Sequence, residues 1–135
     1  MPRTLARILA LAWMGLIYYL SDRPSIDVEE FFSAQDKVAH AIVFGILAIL
    51  YLLSMQRSTE GYRLHRLWIA VGLTAAYGIF DEVHQAFVPN RTADVWDVVA
   101  DTIGGLIAVY LVYRAVKSSR LEGAPTDKIN GGQGR

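Results

Sequence analysis

Apolar residues gather in four blocks separated by polar connections: Leu5–Leu20, Val38–Met55, Leu67–Phe80 and Val95–Tyr113. No charged or amide side chain interrupts Ile8–Ser21 (ILALAWMGLIYYLS), and none interrupts Leu67–Phe80 (LWIAVGLTAAYGIF). A helix on the surface of a soluble domain keeps a polar face. Helices that are apolar all round, in so short a chain, would leave their outer faces in water, so the pattern points to lipid as the solvent. Val38–Gln56 carries His40 but no formal charge, and it reaches the length a spanning helix needs. The expected fold is therefore all-α: an integral membrane four-helix bundle. Its helices are expected over about residues 5–21, 37–55, 66–86 and 94–114 of a transmembrane domain at 1–115, followed by a flexible polar tail at 116–135.

Composition agrees without adding much. The 135 residues suit one domain, and 53% are hydrophobic, with a mean hydropathy of +0.30. Thirteen basic residues balance thirteen acidic ones, which gives no case for nucleic acid as a partner. The absence of cysteine excludes disulfides, thiolate chemistry and cysteine-rich zinc sites. Arg3 and Arg7 precede the first block in the manner of a signal peptide, but YYLSDRPS (Tyr18–Ser25) offers no small-x-small cleavage site. Tyr18 and Tyr19 fit an interfacial anchor, so the block is expected to be a retained span.

Basic residues set the expected orientation. Arg3 and Arg7 lie before the first block, Arg57, Arg63 and Arg66 between the second and third, and Arg114, Lys117, Arg120, Lys128 and Arg135 after the fourth. The first connection has Arg23 and Lys37 against Asp22, Asp27, Glu29, Glu30 and Asp36, and the third has Arg91 alone. By the positive-inside rule both termini are cytoplasmic, and the first and third connections face outward.

This orientation collects the polar residues at the outer end. At 100° per residue, Asp36, Lys37 and His40 share an arc of the second helix. Asp81, His84 and Gln85 share an arc of the third, with Glu82 at its edge, and Asp94, Asp97 and Asp101 form a stripe on the fourth. A lipid-facing carboxylate at the bilayer centre costs roughly 2.5–3.5 kcal/mol on insertion scales, so these groups are expected to turn inward. Lys37 and Arg91 are the cations placed to balance Asp81, Glu82, Asp97 and Asp101. Gly72-x-x-x-Ala76, Ala100-x-x-x-Gly104 and Gly104-x-x-x-Ala108 suit close helix packing, and Pro89-Asn90 reads as a turn.

Three pieces in this order, D-K-x-x-H-x-x-x-F-x-x-L (Asp36 to Leu47), D-E-x-x-Q-x-F-x-P-x-R (Asp81 to Arg91) and D-x-x-x-(N or D)-x-x-G (Asp97 to Gly104), resemble the VanZ-like family of small bacterial membrane proteins. That family is named for an accessory teicoplanin-resistance protein. The resemblance covers about residues 5–114. It implies a multi-pass protein of the bacterial cytoplasmic membrane, linked to glycopeptide or envelope-stress resistance, but supplies no established reaction. Family members often carry asparagine where Asp101 stands, and two serines where Ser21-Asp22 stands.

The chemistry is therefore read from the residues. As an enzyme on a lipid-linked envelope substrate, the outer end offers His40 or His84 as general base, Asp81 or Glu82 as acid, and Asp97 beside them. Asp36, Lys37, Gln85, Arg91 and Asp101 complete a ligand-binding set, with Lys37 and Arg91 suited to a phosphate or carboxylate. No nucleophile motif accompanies them. A metal variant would draw on His40, His84, Asp81 or Glu82, and Asp97, but the spacing is not H-E-x-x-H, and no metal or other cofactor is assigned. The alternatives are binding or transport without covalent chemistry, and an accessory subunit whose polar network only fixes helix register. Expected partners are membrane lipids, a lipid-linked cell-wall precursor and further copies of the chain.

Overall fold

A helix satisfies its backbone hydrogen bonds within one segment, which is what an apolar block requires where no water can serve the peptide groups. The computed structural model forms a helix at each block: α1 (Arg3–Ser21), α2 (Gln35–Met55), α3 (Leu64–Gln85) and α4 (Val95–Glu122). It describes residues 1–23, 34–56 and 63–122. Among these there is no strand, and the protein is an all-α membrane bundle. Asp27, Glu29, Glu30 and Arg57 of the connections, and 123–135 of the tail, lie outside the described residues. The fourth helix runs past the expected 114 to Glu122, since the segment YRAVKSSRLE contains no proline or glycine to stop it.

Among the described residues, three helices are long and apolar enough to cross a membrane: α1, α2, and α4 as far as Ser119. The third does not meet that measure, because Arg66 at one end and Asp81-Glu82 at the other shorten its apolar run. The distribution of side chains is inverted relative to a soluble domain. Leu11, Ile42, Trp68, Ile107 and Leu111 are exposed, whereas Asp81 and Asp101 are only 1% and 0% exposed. Apolar residues outside and carboxylates inside are the arrangement lipid favours.

The second helix is the hub. It makes its most extensive contact with α4 and also packs on α1 and α3, while α1 touches α3 lightly and, among the described residues, does not touch α4. The close α2–α4 approach depends on Gly104, where a Cβ would collide with the backbone of Ala41. Ala108, one turn on, lies against Gly45, so the Gly104-x-x-x-Ala108 pair serves packing as expected. The Gly72-x-x-x-Ala76 pair does not, since Gly72 has no neighbour where a Cβ would point and both residues are exposed.

Two apolar clusters fill the bundle. One joins Ala48, Leu52, Leu67, Ala70, Val71 and Val109, and the other is Phe44, Leu47 and Ile17, with Trp13, Met14 and Tyr77 packed on it. The indole of Trp13 donates to the carbonyl of Val43 at 3.0 Å, and the Tyr77 hydroxyl donates to that of Met14 at 2.7 Å. These bonds tie α1 to α2 and α3. They fix α1 laterally, which matters because α1 forms one side of the polar end.

Candidate functional site

The three polar arcs meet at one end of the bundle, as the helical spacing predicts, but they sort into two groups. In the first, α2 and α4 face each other. The Lys37 ammonium donates to Asp94 Oδ2 at 2.8 Å, Asp97 Oδ1 at 3.0 Å and Asp36 Oδ2 at 3.3 Å. One turn deeper, His40 Nδ1 lies 3.0 Å from Asp101 Oδ1. With Asp101 ionised and the imidazole neutral, Nδ1 carries the proton and Nε2 keeps its lone pair. From α3, Glu82 reaches across and accepts the Asp94 backbone N–H through Oε2 at 2.7 Å.

Local structure explains much of this geometry. Asp94 precedes the first residue of α4 and accepts the Trp96 N–H at 2.9 Å, which makes it the helix N-cap. Its carboxyl is held below the usual aspartate range, first by the Lys37 hydrogen bond and then by the Trp96 N–H. Asp101 reaches its depth because α3 has a glycine opposite: a Cβ on Gly78 would overlap the Asp101 carboxylate. Among the described residues, three buried carboxylate oxygens have no hydrogen-bond partner: Asp81 Oδ1, Glu82 Oε1 and Asp101 Oδ2.

The second group joins α1, α3 and the turn after α3. Gln85 Nε2 donates to Asp81 Oδ2 at 2.8 Å and reaches Ser21 Oγ at 3.4 Å. The chain reverses through Pro89-Asn90 as expected, with Asn90 in the left-handed region (φ 62°), a conformation asparagine tolerates better than most residues. This turn directs Arg91 back at α1. Its guanidinium donates to the carbonyls of Leu20 at 3.1 Å and Arg23 at 2.9 Å, and to Gln85 Oε1 at 3.4 Å. The last turn of α1 contains no basic residue, so Arg91 supplies from elsewhere the cation that suits a helix C-terminus.

Two placements differ from the expected roles. Arg91 serves backbone carbonyls where a counter-ion to the acids was expected. His84 turns toward α1, with Nε2 3.2 Å from Asp22 Oδ1 and its ring stacked on Tyr18 at 4.4 Å between centroids. Of the other expected residues, Asp36, Lys37, His40, Glu82, Asp97 and Asp101 gather in the first group, and Asp81 and Gln85 in the second. One potential ligand atom each from His40, Glu82 and Asp97 lies within 4.8 Å of the others.

Between the groups, a cavity of about 170 Å³ is bounded by α1, α2 and α3. Its polar wall is His40, Asp81, Gln85, Arg91 and Ser21, and its apolar wall is Ile17, Leu20, Val43 and Phe44. Ser21, Asp22 and Gly78 were not foreseen as participants. Ser21 and Asp22 carried a usable signal, as polar residues immediately after an apolar helix. Gly78 carried none, since its role depends on which residue of another helix stands opposite.

A family model described as VanZ/LLP1 matches residues 6–117. No curated protein matches the chain, and no solved structure does.

Proposed function

The chain belongs to the VanZ-like family, and from that premise we propose that it binds a lipid-linked envelope molecule at the outer face of the bacterial cytoplasmic membrane, contributing to glycopeptide or envelope-stress resistance. Membership supports a cell-envelope membrane protein related to the teicoplanin-resistance family; the ligand and the orientation are our reading. The excess of arginine and lysine at both termini and in the middle connection favours those segments on the cytoplasmic side. Four spans fit this topology. The third helix has 22 residues, about 33 Å at 1.5 Å each, against a hydrocarbon core of about 30 Å. Its lipid side carries Trp68, Ile69, Leu73, Ile79 and Phe80.

The observation that carries the binding reading is the two-sided cavity. At about 170 Å³ it is below the roughly 300–1,000 Å³ of drug-sized sites. That volume suits part of a head group, with the apolar chain of the ligand left to run along the exposed helices. Native mass spectrometry of the full chain in nanodiscs containing a lipid-linked peptidoglycan precursor tests it. Ala39 borders the cavity from an exposed position, so Ala39→Trp should block the space without disturbing the core. A one-to-one adduct on the wild type that Ala39→Trp loses, at unchanged melting temperature, is the expected result. An adduct indifferent to Ala39→Trp, or none on the wild type, overturns the reading.

A second reading has a specific basis. The His40–Asp101 pair at 3.0 Å has the carboxylate–imidazole geometry of a general base. The hydroxyl at the cavity, Ser21 Oγ, is paired with Gln85 Nε2 and not with a histidine, so hydrolysis by activated water fits better than an acyl-enzyme route. Release of a soluble head group from the precursor, lost in His40→Gln, would favour this over binding alone.

A further inference from the structure

We propose that His40, Glu82 and Asp97 hold a first-row divalent cation of the manganese–zinc type. One nitrogen and two carboxylates suit such an ion better than a soft metal, which prefers sulfur, or magnesium, which prefers oxygen and water. The proposal deepens the binding reading, on which it rests for the ligand but not for the ion. His40 lines both the cavity and the cluster, and three protein ligands leave coordination positions open to an oxygen of the bound molecule.

Four observations converge on the ion. The candidate ligand atoms lie within 4.8 Å of one another. Ligands about 2.1 Å from a tetrahedral ion stand about 3.4 Å apart, so side-chain rotations that draw these atoms together by roughly an ångström close the shell. The His40 ring is already held: its Nδ1 lies 3.0 Å from the fully buried Asp101, so coordination would fall to Nε2. This is the outer carboxylate commonly found behind a metal-bound histidine. Glu82 is 5% exposed, yet its Oε1 has no hydrogen-bond partner. Lastly, the group of Asp36, Glu82, Asp94, Asp97 and Asp101 carries five carboxylates against Lys37 and His40. Lys37 is engaged with Asp36, Asp94 and Asp97, at Oδ1 in the case of Asp97. The Asp97 carboxylate therefore has a second oxygen for an ion, and the group has charge to balance.

The opposing arrangement replaces the ion with protons, Glu82 and Asp101 being neutral acids. The two are separable with the full chain purified in detergent, stripped with chelator and titrated with Mn²⁺. The expected result is one Mn²⁺ per chain and a histidine nitrogen coupling in its electron spin-echo spectrum. Affinity should fall at least tenfold in His40→Ala and Glu82→Gln, and remain unchanged in His84→Ala and His65→Ala. Asp101→Asn, whose amide oxygen still accepts from His40 Nδ1, keeps the fold and should weaken binding roughly tenfold. This variant keeps the test decisive if His40→Ala or Glu82→Gln fails to fold. No bound Mn²⁺, no nitrogen coupling, or binding insensitive to the folded variants overturns the proposal. So does an infrared band of a neutral carboxylic acid that Glu82→Gln removes from the Mn²⁺-treated protein. Repeating the nanodisc measurement after chelation separates the two readings. A precursor adduct on protein that takes no Mn²⁺ refutes the ion and leaves the binding reading standing, whereas Mn²⁺ bound with no adduct does the reverse.

Discussion

Lys37 sits among three carboxylates between α2 and α4, while Arg91, at the same end of the bundle, points at the backbone carbonyls that finish α1. Both are cations near buried acids, so composition alone would give them one role. The difference lies in what each neighbouring helix leaves unsatisfied. Asp94 and Asp97 stand on the face of α4 that α2 approaches, and they need a positive partner. The end of α1 has carbonyls without intrahelical donors and no basic residue of its own, and it needs donors. The guanidinium, with several N–H groups in one plane, serves two carbonyls and the Gln85 amide at once. The α2–α4 group therefore manages charge, and the α1–α3 group manages helix ends.

Lys37→Met should have the largest effect on this contrast. It leaves Asp97, 8% exposed, without its cation. Discounting for a lysine side chain still 32% exposed, the expected loss is about 2–3 kcal/mol, read as the melting temperature in detergent. Gly78→Ala should come next. The added methyl displaces the Asp101 carboxylate and with it the His40 contact, at about 1–2 kcal/mol. Gly72→Ala, with nothing in its way, should change stability by no more than about 0.5 kcal/mol. Arg91→Met removes donors from exposed carbonyls and should cost only about 1 kcal/mol. A loss as large as that of Lys37→Met would erase the distinction drawn between the two cations.

The smallest expected effect is on pH dependence. The Asp94 carboxyl is lowered from its ordinary value of 3.8, with the Lys37 hydrogen bond the first cause. A group whose folded value is depressed adds stability that is present above the unfolded value and is lost as pH falls through the folded one. The wild type should therefore lose an increment of melting temperature on acidification below pH 3.8. Lys37→Met should lose less of it. Equal acid slopes in the two proteins would mean that Asp94 draws no stability from Lys37.

Much of the candidate site was legible because helical spacing is local arithmetic. Asp94, Asp97 and Asp101 fall on one stripe whatever surrounds them, and Asp36, Lys37 and His40 on one arc. Asp81, Glu82, Asp97 and Asp101 turned inward, because lipid penalises acids outside, whereas Asp36 stayed exposed. His84 was grouped with Asp81 and Gln85 by the same arithmetic, yet it stacks on Tyr18 and faces Asp22. An arc of a helix is broad enough to touch two neighbours, and spacing does not decide between them. Gly72-x-x-x-Ala76 failed for a related reason: a small-residue pair permits close approach but does not summon a partner.

The sequence by itself determined that this is an all-α membrane bundle, roughly where its helices lie, and that most of its acids collect at one end. Those follow from hydropathy and from the 3.6-residue period, which act within a single segment. The tertiary structure alone decided that Arg91 closes α1, that Gly78 opens α3 to Asp101, and that His40, Glu82 and Asp97 come within reach of one ion. Each depends on residues of different helices meeting side by side, and the crossing that brings α2 to α4 is set by how closely their backbones pack at Gly104.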